Sequence, residues 1–310
     1  MMTGVSQILV VVDPTLEISA AVAKAARLAQ GAEASVELYL CDIPPALQAA
    51  RLSTPELLKA SAERIAAGHR AHLERLAEPL RAAGLVVRNT VEFANPLPEA
   101  IVRRAATSGA DLVVKDTHHH ALLSRTLLTH TDWHLIRDCP VPLLLVKAAA
   151  WRDPPTLCAA VDPNHPDDAT GALDDAIVDA AVRLAHALGT RARLVHVFSS
   201  LNYLPLQADL PGVPIGLDLE AVEALRQLHH AELAAVADRN GIGREDVSLI
   251  DGLVTDALPS FVTREGIDIV ALGSVARGRL QDRFLGSTAT RMLDRIAGDL
   301  LIAKLPPPVA

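Results

Sequence analysis

Short apolar runs alternate with longer amphipathic stretches along the whole chain. Residues 7–12 (QILVVV), 34–41 (ASVELYLC), 85–93, 110–115 (ADLVVK) and 141–147 (VPLLLVK) are brief and mostly aliphatic. Such runs predict strands buried on both faces. Between them, residues 18–28, 54–83, 96–106 and part of 122–137 carry apolar positions at helical spacing. Thr54-Pro55 reads as a helix start, with Thr at the N-cap and Pro at the first turn. Pro79 predicts a kink or shortening of that helix near its end. The same order then returns. Strands are predicted at 156–161, 192–198, 247–253, 267–272 and 299–304. Helices are predicted at 174–188, 217–240 and 255–264, with a last one carrying Ala289, Met292, Leu293 and Ile296. Strands that alternate with helices predict an α/β fold with parallel sheets covered on both faces.

The return of the order is a duplication. Asp13-Pro14 recurs as Asp162-Pro163, 149 residues later, and Asp111-Leu112-Val113-Val114 as Asp268-Ile269-Val270-Ala271, 157 residues later. From there the halves align without a gap to Lys147 and Lys304. The eight extra residues of the second half are expected in the Pro- and Gly-containing stretch 202–218, and the linker near 148–155. Two domains, 1–150 and 151–310, follow. A repeat of this length duplicates a whole domain, whereas solenoid repeats are several-fold shorter.

Composition narrows the partners. Half of the 310 residues are hydrophobic but only 3% are aromatic, so Ala, Val, Leu and Ile must build the core. A net charge of −8 argues against nucleic acid or an acidic membrane surface as a general partner. Cys41, Cys139 and Cys158 are scattered and odd in number, which suits free thiols in a reducing compartment. The first apolar run has no basic residue before it and ends at Asp13. No apolar stretch approaches the roughly 20 residues that span a bilayer. A cytoplasmic protein without membrane insertion is expected.

Candidate chemistry concentrates in residues 267–304. A short strand leads into Gly273-Ser274-Val275-Ala276, and Gly286-Ser287-Thr288 opens a helical pattern. A helix N-terminus presents unpaired N–H groups to an anion. Glycines let backbone come close to it. An ordinary βα loop with a capped helix has the same pattern. The first half differs at each of these places: Asp116 stands for Gly273, His119 for Ala276, Thr129 for Gly286 and His130 for Ser287. His118, His119, His120, His130 and His134, with Asp116 and Asp132, form the densest group of ligand-type residues. Their spacing matches no zinc signature, so a polar loop that hydrogen-bonds across the domain–domain junction is expected rather than a metal site. The adjacent His229 and His230 point in different directions from a helix and are expected at the surface. Neither a nucleophile elbow nor a Walker-type phosphate loop is present, so catalysis is not expected.

The first half also carries K-x-x-H-x-H from Lys115, then TDWHL and R-x-C-P between Thr131 and Pro140. With the duplication and the 273–288 pattern, the chain resembles the tandem universal stress proteins, and these segments resemble the E-type branch. That resemblance implies two Rossmann-like (adenine nucleotide alpha hydrolase-like) domains, each with a five-stranded parallel sheet. The last strands of the two are then expected to pair, making an internal pseudo-dimer and leaving a homodimer open. It implies a stress-response protein that binds ATP or another adenine nucleotide, with Mg, in the second domain only, and acts through unnamed protein partners. On that reading Asp162 accepts from ribose or base, Val197 and Leu272 contact adenine, and Gly273, Gly286, Ser287 and Thr288 surround ribose and phosphates. Ala276 stands where the family pattern has Gly, and its methyl crowds the α-phosphate. Arg277, with Arg279 and Arg283, either supplies charge to the ligand or is simply solvated. The alternative is a ligand- or protein-interaction scaffold without ATP, holding an apolar or acyl ligand between the halves beneath the loop 201–217.

Overall fold

The computed structural model describes residues 4–42, 55–117, 119–120, 125–126, 128–164, 171–200, 219–273 and 292–305. The first half runs β1 (Gln7–Val11), α1 (Ala20–Ala32), β2 (Ser35–Asp42), α2 (Pro55–Ala82), β3 (Val87–Phe93), α3 (Leu97–Thr107) and β4 (Leu112–Asp116). A two-residue pair, β5 (His119–His120) and β6 (Arg125–Thr126), precedes α4 (His130–Asp138) and β7 (Leu143–Val146). The second half runs β8 (Leu157–Val161), α5 (Ala172–Ala187), β9 (Ala192–Phe198), α6 (Leu219–Arg239), β10 (Val247–Asp251), α7 (Val254–Glu265), β11 (Ile269–Gly273) and β12 (Asp299–Ala303). Residues 292–295 are the described part of the last helix. Pro79 falls within the last turn of α2, which ends at Ala82.

All ten long strands share one sheet, in the order β10-β9-β8-β11-β12-β7-β4-β1-β2-β3. Each half contributes five parallel strands, as expected, and the halves meet where β12 runs antiparallel to β7. Leu300 faces Leu145, Leu301 faces Leu144 and Ile302 faces Leu143. Every residue of β7 and β12 is buried. Two separate sheets would each leave such a strand as an unpaired apolar edge. Their junction instead makes one core on each face of the sheet, and each core draws residues from both halves.

Charged groups close the junction. Lys24 on α1 donates to the Asp299 carboxylate at 2.7 Å and to the Lys147 carbonyl at 2.8 Å, both partners buried. Asp299 also accepts from the Lys147 amide at 2.8 Å and the Trp151 indole at 2.7 Å. The two Lys residues that align in the repeat cross over. Lys147 donates to the Ile296 carbonyl in the second half, and Lys304 to the Ile136 and Arg137 carbonyls in the first. Each ammonium thus sits at the last turn of the other half's final helix, where the dipole favours a cation. The repeated Asp111 and Asp268 have a shared task as well. Asp111 accepts from the Ser6 and Gln7 amides, and Asp268 from the Thr156 amide, at the entry of each first strand.

On one face α1 and α5 pack directly against each other. A Cβ on Gly31 would lie 1.7 Å from the Ala187 carbonyl oxygen, so the helices approach at backbone contact. At this contact the two helices leave no room for a ligand. The loop 201–217, which the sequence suggested as the cover of an apolar ligand, lies outside the described residues.

Strand register relocates the extra residues of the second half. Ile8 pairs with Leu112 and Val36, whereas Leu157 pairs with Ile269 and Ala192. Leu157 is therefore equivalent to Ile8, at an offset of 149, and Ala192 to Val36, at an offset of 156. Seven of the eight extra residues fall between β8 and β9, not in 202–218. Ladder hydrogen bonds and the alternation of faces set that equivalence. A Pro-rich stretch only resembles an insertion.

Two measurements test this arrangement. Gly31→Ala should destabilise the chain by about 1–3 kcal/mol in urea unfolding, because a backbone oxygen cannot swing aside for the methyl. Burial pushes the Lys304 ammonium from 10.5 down to about 8. The folded chain then sheds this proton between about pH 8 and 10.5 while the unfolded chain keeps it, so this group's contribution to stability rises with pH across that window. Burial raises the three cysteine thiols, which pulls the other way; Cys41 and Cys158 do so alike in parent and variant, whereas Cys139 also feels the Lys304 charge. The stability of the parent relative to Lys304→Met should accordingly rise between about pH 7.5 and 9.5.

Candidate functional site

Within each half the strand order reverses between its first and fourth strands, β1 and β4 or β8 and β11. Crevices at the carboxyl ends of parallel strands form at such switch points. The second half has one, a cavity of about 540 Å³ at the ends of β8, β9 and β11. Val195, Val197, Leu258, Leu272 and Met292 give it an apolar wall. Its polar wall is Asp162, Asn164, His196, Ser199 and His229.

Four of the residues suggested by the sequence converge here: Asp162, Val197, Leu272 and Gly273. Asp162 follows β8 and is 55% exposed at the rim, with its amide donating to Asp174 Oδ1 at 3.0 Å. Val197 and Leu272 are half-buried, packed against the core beneath the pocket. Gly273 is required by packing: a Cβ there would meet the Leu173 side chain at 2.8 Å. Ala276, Arg277, Gly286, Ser287 and Thr288 lie outside the described residues, as do Arg279 and Arg283.

The polar wall departs from expectation. His229 is 4% exposed and His196 2%, so His229 is a core residue and only His230 is at the surface. His196 Nδ1 lies 2.9 Å from the Val161 carbonyl, and His196 Nε2 lies 3.0 Å from His229 Nδ1. Asn164 Nδ2 is 3.1 Å from His229 Nδ1. Burial lowers the His196 pKa, against the opposing pull of the Val161 bond and of Asp162. Sequence reading passed over His196, Asn164 and Asp174. The available signal was a lone His in the apolar run ARLVHVF, and its burial follows only from its place in the sheet.

The equivalent place in the first half is filled. Asp116, which replaces Gly273, accepts from the Ser19 hydroxyl at 2.6 Å and from the Ala21 amide at 2.9 Å. Its carboxylate thereby caps α1. Lys115 donates to Asp132 Oδ1 at 2.8 Å, and Asp132 is completely buried. Asp132 also closes the capping box of α4 with Thr129. Asp13, the counterpart of Asp162, accepts from the Thr15 amide and hydroxyl at 2.8 and 2.6 Å.

These bonds also bear on the histidine-rich group. Asp116 and Asp132 are committed to them. His134 Nδ1 lies 2.9 Å from Asp138, with His130 one turn away. Among the described residues no group of three or more His, Cys, Asp or Glu is disposed to hold a metal ion. The side chains of His118, His119 and His120 lie outside them.

A doubled α/β domain whose halves share one sheet defines a tandem class of protein. Comparison with known proteins makes this specific. The universal stress protein family matches residues 4–147 and again 158–304, and the chain belongs to that family as a tandem protein of the E type. It is 27% identical over 305 residues to Universal stress protein E of Escherichia coli K12, covering 96% of this chain and 93% of that one. With the Universal stress protein E homolog of Haemophilus influenzae the identity is 24% over 306 residues, covering 95% and 96%. A crystal structure of a functionally unknown protein from Pseudomonas aeruginosa PAO1 superposes with a TM-score of 0.72 at 21% identity, covering 98% and 94%. A universal stress protein from Archaeoglobus fulgidus gives 0.57 at 14% identity, covering 96% of both chains. Among the described residues no helix is long and apolar enough to cross a membrane.

The buried pair in the first half can be tested directly. Asp132→Ala strands the Lys115 ammonium and removes a cap, so urea unfolding should show a loss of about 3–5 kcal/mol.

Proposed function

We propose that the second half binds one adenine nucleotide in the pocket at the ends of β8, β9 and β11. The chain would then act in the cytoplasm as a stress-response protein through protein partners, without robust catalysis. The observation that carries this reading is the contrast between the halves. One switch point is an open pocket with an apolar slot and Asp162 at its rim. The other is filled by Asp116 and by the Lys115–Asp132 pair. A flat aromatic base suits the slot between Val197 and Leu272, and a pocket of about 540 Å³ lies in the range of small-molecule sites. Asp162 is placed to accept from a ribose hydroxyl or a base amine. The phosphates would extend toward residues 274–291. Mg would enter chiefly on those phosphates, since that ion keeps most of its ligands as water and phosphate oxygen. In the first half, Asp116 puts a negative charge where phosphate would sit, which disfavours a second nucleotide.

The scaffold reading, an apolar or acyl ligand without ATP, has less support. The α1–α5 contact at Gly31 is closed to a ligand, and the pocket at the ends of β8, β9 and β11 carries a polar wall.

Calorimetric titration with ATP and Mg should give one site per chain. Val197→Trp, which fills the slot, should abolish the heat while leaving unfolding unchanged within about 1–2 kcal/mol. Gly286→Asp should weaken binding by at least about tenfold through charge repulsion. Two sites per chain, no heat with the parent, or binding that survives both substitutions would each overturn the proposal.

A further inference from the structure

The polar wall of the pocket is unlike its counterpart. By strand register His196 stands where the first half has Leu40, and Val197 where it has Cys41. A buried apolar position has therefore become an imidazole, and α6 brings a second imidazole, His229, to meet it. The rings are 5.1 Å apart between centroids and tilted by 31°, and Phe198 lies against His229 at 5.0 Å. Both line the pocket.

The hydrogen bonds specify the protons. A carbonyl only accepts, so the 2.9 Å contact to Val161 requires N–H at His196 Nδ1. In neutral His196 the Nε2 is then a lone pair, and His229 donates to it from Nδ1 across the 3.0 Å contact when the Asn164 amide turns its Oδ1 toward that N–H; Asn164 Nδ2 at 3.1 Å suits the opposite arrangement, in which His229 Nδ1 accepts. One added proton reverses this bond. Nε2 of His196 becomes the donor, Nδ1 of His229 the acceptor, and the His229 proton moves to its Nε2. The pair can thus take up one proton and hold the resulting cation between two rings, with the Asn164 amide then donating to His229 Nδ1. The charged groups that face it are Asp162 from the end of β8, Asp174 from α5 and Glu232 from α6. All three favour the cation. Burial opposes it and lowers the His196 pKa.

We infer that the His196–His229 pair couples occupancy of this pocket to the uptake of a proton, so that an anionic ligand binds more tightly as the pH falls. An anion in the pocket adds negative potential beside the pair, which favours the imidazolium; excluding water strengthens that attraction while costing the imidazolium its hydration, and the added charge outweighs that cost. By linkage, the uptake that the ligand promotes is the tightening that the proton promotes. A neutral apolar ligand would do the reverse, since it removes water and adds no charge. The inference rests on the nucleotide reading above and names the regulation of the same site.

The test is the dissociation constant for ATP with Mg, measured by calorimetry between about pH 8 and pH 5.5 in two buffers of different ionisation enthalpy. One linked proton can tighten binding by up to about tenfold per pH unit, and a total gain of about three- to tenfold is expected, with net proton uptake in the buffer comparison. His196→Leu, which copies Leu40 of the first half, and His229→Gln, which keeps a donor and an acceptor without titrating, should each bind ATP with a flatter pH profile. The pair keeps this role if the parent shows uptake and either variant loses it. Binding with no proton uptake, or with an uptake that both variants retain, would overturn this inference and leave the nucleotide reading standing. An absence of binding at every pH would overturn both.

Discussion

The antiparallel pairing of β7 with β12 is the constraint on which the rest of the molecule depends. Both strands are wholly buried, so neither half can end its sheet there without exposing an apolar edge. Pairing them merges two five-stranded sheets and both of their cores. The Lys24–Asp299 ion pair sits at that junction, with the Lys147 amide and Trp151 indole completing the carboxylate's hydrogen bonds. A buried ion pair adds little net stability after desolvation, but it penalises any arrangement that separates its members. Here it acts as a register pin. The crossed Lys147 and Lys304 bonds reinforce it from both sides.

A joined pair of domains allows the two copies of one site to diverge. The structure shows how the first copy differs at the corresponding positions. Asp116 takes the place of Gly273 and caps α1 with its own carboxylate. Lys115 takes the place of Leu272 and is neutralised by buried Asp132. The apolar slot of the second half thus corresponds to a set of internal charges in the first. The family's E-type segments have a structural role on this account: the Lys of K-x-x-H-x-H and the Asp of TDWHL are the two ends of that ion pair. The second copy has diverged as well, by placing His196 where the first has Leu40.

A good part of this was legible in the chain. The alternation of short apolar runs with amphipathic stretches marked the parallel strands and the helices over them. The recurring Asp-Pro and Asp-aliphatic anchors marked the duplication, and Asp111 and Asp268 recur because each holds the start of a first strand. Four pocket residues, Asp162, Val197, Leu272 and Gly273, were reached through the resemblance to the family, Gly273 also through the exit of its strand. Less accessible was the reason for a glycine at 273, which in the structure is the Leu173 side chain above it.

By itself, then, the sequence determined the α/β class, the two copies and the family, because these depend on local periodicity and on motifs short enough to read. Tertiary structure alone decided where the extra residues lie, that α1 and α5 touch at Gly31, that His229 is buried, and that His196 meets it. Each of these depends on which residues face each other across a sheet or between layers. Strand register and helix placement are set by hydrogen bonds and packing between segments more than 25 residues apart in the chain. No local pattern of polar and apolar positions encodes that juxtaposition.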